Sequence, residues 1–224
     1  NMRPNSAIIY EGPSRLDGQP IAVIATGLNG HSKNPKTGPM THLWVLRSDI
    51  PPVDALLAGD DVSVCGDCPL RRTVCYVSVI HAPRAVYKAY AAGRYPHMRP
   101  ADLPTTRPIR MGAYGDPGAV PMAVWNALPV AAGRTGYTHQ WTRRPALRRL
   151  VMASVDTVEQ AHTAQAAGWR TFRVKSPDEP LMAGEIACPA SAESGHKTTC
   201  AQCLLCDGST GRDEHRANIA INTH

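Results

Sequence analysis

Apolar residues in this chain fall in short runs bounded by turn formers, not in long helical stripes. Ile21-Ala22-Val23-Ile24-Ala25 is continuous, flanked by Pro20 and Gly27, and predicts a buried strand. His42-Leu43-Trp44-Val45-Leu46-Arg47 alternates and predicts another. Further strands are predicted over residues 61–64, 109–114, 135–139, 150–155, 170–174, 185–187 and 218–222. Helical patterns lie between them, over residues 77–94 with Pro83 near the start, 119–128, a basic stretch after His139, and 157–167. Asp156 is placed to cap the last of these and Gly168 to stop it. Residues 1–20 are polar and turn-rich and read as a loosely held arm, and the prolines at 96, 100, 104 and 108 make that stretch a loop.

Strand–helix alternation of this kind predicts a parallel sheet with crossover helices. A closed eight-stranded barrel typically takes about 250 residues. The 224 residues here fit an α/β fold better described as a truncated, partly open parallel (β/α) barrel of about six strands. Three segments follow: an N-terminal arm with edge strands over 1–60, the partial barrel over 61–187, and a C-terminal cysteine-rich metal-binding segment with the last strand over 188–224. Function in such sheets gathers beyond the carboxyl ends of the strands, where both cysteine groups are expected to face one cleft.

Seven cysteines cannot all pair within one chain, and their spacing points to metal in a reducing, cytoplasmic compartment. Cys200, Cys203 and Cys206 form a C-x2-C-x2-C run, with Cys188 upstream. Thiolates at that interval can wrap an iron–sulfur cluster, whereas one zinc ion usually takes two ligands from such a knuckle and two from elsewhere. Both metals remain open, with a [4Fe–4S] cluster favoured by the third cysteine. Cys65, Cys68 and Cys75 leave a second site one ligand short, which suits an open, reactive centre, or a structural zinc completed by His81.

Other residues add less. His139, at a strand end, is an acid–base or ligand candidate, and Asp156 is a catalytic candidate as well as a cap. The loop 27–38 carries two lysines and backbone donors that suit an anion, or serves as an ordinary connection. The net charge of +6 is compatible with nucleic acid or another polyanion as partner. Arg143, Arg144, Arg148 and Arg149 are its candidate contacts, against a plain solvated face, and Tyr137 and Trp141 are candidates to stack on a base. No apolar run is long enough for a membrane span, and residues 1–6 lack the apolar core of a secretion signal. No Ser-His-Asp or GxGxxG pattern supports a hydrolase or a nicotinamide enzyme.

Together these motifs resemble the radical S-adenosylmethionine enzymes. The resemblance rests on the Cys65, Cys68 and Cys75 loop and on Met111-Gly112-Ala113-Tyr114-Gly115-Asp116-Pro117 as a glycine-acidic motif. It continues through Ser154-Val155-Asp156 on the fourth strand and the C-terminal cysteines as an auxiliary-cluster segment. The loop spacing here is C-x2-C-x6-C, where the family uses C-x3-C-x2-C. The resemblance implies one or two [4Fe–4S] clusters and S-adenosylmethionine bound on an open iron. Gly115 and Asp116 would then lie at the cofactor's amino group, with Ser154 and Arg173 near its ribose or carboxylate, and an electron donor as partner. Cys-Gly-Asp-Cys-Pro and Gly-Tyr-Thr-His-Gln-Trp also resemble cysteine-rich proteins of unknown function encoded by phages and plasmids, which implies the cytoplasm of a bacterial or phage-infected cell. The reading from a different class is a metal-stabilised nucleic-acid-binding protein without catalysis. A cluster-based redox sensor is the third.

Overall fold

The run 21–25 is completely buried in β2 (Pro20–Thr26), near one edge of a nine-stranded sheet. This computed structural model describes residues 4–30, 34–73, 75 and 77–223. β1 (Ser6–Pro13), β2 and β3 (Thr41–Arg47) pair antiparallel. From β3 onward every pairing is parallel, through β4 (Ile109–Tyr114), β5 (Arg134–Thr138), β6 (Met152–Val155) and β7 (Thr171–Lys175). The chain then passes to β8 (Glu185–Ala187) at the far edge and returns, so that β9 (Asn218–Asn222) inserts between β7 and β8. The strand order is β1-β2-β3-β4-β5-β6-β7-β9-β8, and the sheet does not close. The α/β class and the mostly parallel sheet therefore agree with the pattern in the sequence.

Several elements differ from expectation. The N-terminal arm is not loose: β1 pairs along its length with β2, because Ala7, Ile8 and Ile9 bury their side chains. Residues 61–64 are no strand. They enter a helical turn, α2 (Val62–Cys65), which follows α1 (Pro52–Ala58), and Ser63 is buried while Val62 is exposed. Val64 is buried as an apolar-polar alternation predicts, but Val62 and Ser63 exchange places, because Ser63 is held by Arg47 and Asp17. The helix expected over 77–94 is confined to α3 (Ala82–Ala91), with Pro83 in its first turn. α4 (Met122–Asn126) is shorter than predicted, and the basic stretch is a 3-10 turn (Pro145–Arg149). α5 (Val158–Ala166) is capped by Thr157, not Asp156: the Thr157 hydroxyl accepts from Gln160 N–H at 3.1 Å.

One face of the sheet carries the main core, where Ile109, Met111, Trp125, Leu147, Val155 and Ala161 are buried together. Strand side chains alternate between faces, so the residues between these point to the other side. Among the described residues no helix is long and apolar enough to cross a membrane.

Candidate metal and ligand site

The second face encloses a cavity of about 520 Å³. Arg110, Gly112 and Tyr114 from β4, Thr135 and Tyr137 from β5, Phe172 and Val174 from β7 and Ile221 from β9 form its walls. Cys65, Cys68, Cys75 and Cys200 open onto it, as do Gly115, Asp116, His139 and Ser154. Sites for small molecules typically measure about 300–1,000 Å³ and mix an apolar wall with a few polar groups, as here.

The first cysteine loop is built by contacts far apart in sequence. Val64 C=O accepts from Asp116 N–H at 2.6 Å, joining the end of α2 to the end of β4. Arg71 donates to Asp61 Oδ2 at 2.9 Å and to Gly66 C=O at 2.9 Å, and Asp61 is almost wholly buried. Gln140, fully buried, donates through Nε2 to Asp67 Oδ1 at 2.6 Å. Gly66 is required there: its φ is +61°, and a Cβ would lie 2.2 Å from Gln140 Nε2. Cys-Gly-Asp-Cys and the His-Gln pair after β5 are therefore one interlocked unit. Neither Gln140 nor Arg71 was marked by the sequence pattern.

Asp116 is a buried bracket as much as a ligand candidate. Its Oδ1 accepts from Thr138 Oγ1 at 2.6 Å and Gly118 N–H at 2.7 Å, and its Oδ2 from His139 N–H at 2.8 Å. Burial pushes its carboxyl up, and these bonds oppose that. His139 Nε2 lies 3.9 Å from Cys68 Sγ and 3.8 Å from Asp156 Oδ2. Among the described residues the other Asp156 oxygen, which is buried, has no hydrogen-bond partner, and burial pushes this carboxyl up as well. His139 and Asp156 thus meet beside the first cysteine group.

Arg173 is elsewhere. It points away from the cavity, fully buried, and binds Glu185 through two hydrogen bonds of 2.8 Å, with Glu179 at 2.9 Å. The expected contact with a cofactor is corrected to a structural ion pair, since its neighbours Phe172 and Val174 take the cavity face. His81 is exposed at the start of α3 and does not line the cavity. Arg143, Arg148 and Arg149 are exposed and Arg144 is partly buried, and none of them lines the cavity. Arg148 reaches Ala167 C=O at 3.4 Å, and Arg143 reaches Leu16 C=O at 3.3 Å. Trp141 packs against the core, while Tyr137 packs on Phe172 with ring centroids 4.3 Å apart.

The C-terminal cysteines are arranged by one turn of helix, α6 (Cys200–Cys203), which puts Cys200 and Cys203 on the same side. Leu204 ends it in the left-handed conformation, with φ 52°, and turns Cys206 back towards them. Cys188, Cys200, Cys203 and Cys206 together line a cavity of about 30 Å³. Arg170 fixes the segment by donating to Asp207 C=O at 2.8 Å and Ala217 C=O at 2.7 Å. A correction concerns its level. Cys206 C=O accepts from Gly136 N–H at the middle of β5, and Cys200 N–H donates to Lys36 C=O ahead of β3. The run 200–206 therefore crosses ahead of β3 and over the first half of β5, Cys188 directly follows β8 and donates to Ala220 C=O at 2.8 Å, and the Cys65 group lies beyond the carboxyl ends of β4 and β5. The two groups bracket one cavity from opposite ends instead of sharing a rim.

Burial pushes the thiols of Cys65, Cys188 and Cys200 up, and those of Cys68 and Cys206 up to about 12. The charges of Cys188, Cys200 and Cys203 act on Cys206 in the same direction, which marks these four sulfurs as close neighbours. Among the described residues no three His, Cys, Asp or Glu side chains converge to hold a single ion. A zinc site draws its thiolates to one point at Zn–S of about 2.3 Å, whereas a cluster spreads its ligands over several irons. Comparisons with protein-family models, curated proteins and solved structures find no match to this chain.

Proposed function

We propose that the chain is an iron–sulfur enzyme of radical S-adenosylmethionine type, built on a partly open barrel. The observation that carries this reading is the common cavity: Cys65, Cys68 and Cys75 face it from one end and Cys200 from the other, and Cys200 also lines the small adjoining cavity with Cys188, Cys203 and Cys206. The donor sets fit the group. Each is all thiolate, soft, and partly or wholly withdrawn from water, with the exception of exposed Cys75.

In this reading Cys65, Cys68 and Cys75 hold an open [4Fe–4S] cluster and Cys188, Cys200, Cys203 and Cys206 a closed one. When bound, the open cluster supplies an electron to the sulfonium of S-adenosylmethionine. The chain's own part is to bind, orient and exclude water. Ser154 and Asp116 offer polar contacts on the cavity wall, and Tyr114, Tyr137 and Phe172 offer flat apolar surface for an adenine ring. Asp116 also fixes the backbone of His139, and so sets where the imidazole stands against Cys68.

The test is electron paramagnetic resonance of the reduced, anaerobically reconstituted protein with and without S-adenosylmethionine. The expected result is a changed cluster signal that Cys68→Ala abolishes. A signal indifferent to S-adenosylmethionine overturns the enzyme reading. Salt-dependent nucleic-acid binding by a colourless zinc protein, weakened by Arg148→Ala, would establish the non-catalytic alternative.

A further inference from the structure

Lys36 and Tyr137 each stand on both cavities, at the place where the four C-terminal cysteines meet the larger chamber. The loop bearing Lys36 is clamped to the cysteine segment: Cys200 N–H donates to Lys36 C=O at 2.9 Å and Ala201 N–H to Thr37 C=O at 2.9 Å. Lys36 N–H is in turn fixed by Asn34 Oδ1 at 3.0 Å. The Tyr137 ring packs on Phe172, and its hydroxyl hydrogen-bonds to the buried Cys206 thiol. These positions are not explained by holding S-adenosylmethionine at the other end of the chamber.

We propose that Lys36 and Tyr137 set the reduction potential of the four-cysteine centre, Lys36 by its charge and Tyr137 by donating a hydrogen bond to Cys206 Sγ. The inference rests on the iron–sulfur reading above. One-electron reduction adds a negative charge to a group that already carries four thiolates, with Cys188 and Cys206 buried. A nearby ammonium and a hydroxyl aimed at sulfur favour the reduced state, because charge and hydrogen bonds to the sulfurs govern cluster potentials. The electron comes from an external one-electron donor and resides on iron; no bond is made or broken. Lys36 lines the smaller cavity beside Cys188 and Cys200, and Arg110 lines the larger one with Cys200.

The experiment is a redox titration of the full chain, reconstituted with iron and sulfide in a Cys68→Ser/Cys75→Ser background so that only the second centre loads. Visible absorbance and electron paramagnetic resonance follow dithionite reduction. Lys36→Gln and Tyr137→Phe are each expected to lower the midpoint potential, and Lys36→Arg to restore it. Tyr137→Phe keeps the ring on Phe172 and removes only the hydroxyl, so a merely structural role leaves the potential unmoved. A loaded centre with the same midpoint in both variants overturns this inference alone. A wild-type chain that assembles no iron–sulfur centre overturns it together with the reading on which it rests.

Discussion

Gln140 Nε2 donates to Asp67 Oδ1 at 2.6 Å, across a glycine too close for any side chain, and so fastens the end of β5 to the first cysteine loop. The bond lies next to His139 and next to Cys68, so the same contact that positions the loop positions the imidazole. Gln140→Ala is expected to cost about 1–3 kcal/mol, the usual penalty for opening a buried hydrogen bond. Denaturant unfolding measures that loss, and iron loading of the first centre should fall while the second stays filled. Equal loss at both centres would contradict a local role.

Arg71 holds the other side of the same loop. Removing it leaves Asp61, almost wholly buried, without its cation. Arg71→Ala should therefore destabilise by about 3–5 kcal/mol, most of it the cost of the stranded carboxylate. Asp61→Asn/Arg71→Ala should recover part of that loss, and a double-mutant cycle reads the coupling directly.

Arg173 was a cofactor candidate by position, and its geometry assigns it to stability. Arg173→Leu strands Glu185, whose side chain is completely buried. Burial pushes that carboxyl up, but the bonds from Arg173 and Met182 N–H outweigh it and hold it below the ordinary value. The expected outcome is a loss of about 3 kcal/mol or more. Binding of S-adenosylmethionine by the surviving folded fraction should be unchanged. A folded variant of normal stability with impaired cofactor binding would reverse this assignment.

His42 gives the fold a pH dependence. Burial, then the charge of Arg110, lower its pKa to about 4 from 6.5. Between those values the unfolded chain carries the proton and the folded chain does not, so stability rises with pH. The contribution is fully present above about pH 6.5 and is lost as pH falls towards 4, by about 3 kcal/mol. His42→Gln should flatten that part of the stability profile, measured by denaturant midpoints from pH 7 to pH 4. An identical slope in both proteins would contradict the assignment.

The parallel strands were legible because each is a short run with apolar positions, set off by turn formers or helical patterns. β1 was not, since Ala7-Ile8-Ile9 is a brief apolar patch among polar residues and only pairing with β2 gives it a core. Val62-Ser63-Val64 has a strand's alternation, yet distant polar partners, Arg47 and Asp17, draw Ser63 inward and reverse its facing. At the site, cysteine spacing was enough to mark both thiol groups. Their placement at opposite ends of one chamber was not, because it depends on the crossing of residues 200–206 over Lys36 and Gly136. Arg173 could have been excluded from the chamber by strand periodicity alone, once Phe172 and Val174 were assigned to it.

Iron and acid-labile sulfide analysis of anaerobically prepared protein tests the central claim most directly. The account predicts a brown protein with about eight irons and eight sulfides per chain, halved by Cys68→Ser/Cys75→Ser and reduced to none when Cys203→Ser and Cys206→Ser are added. A colourless protein that carries zinc and no sulfide after the same preparation would contradict it.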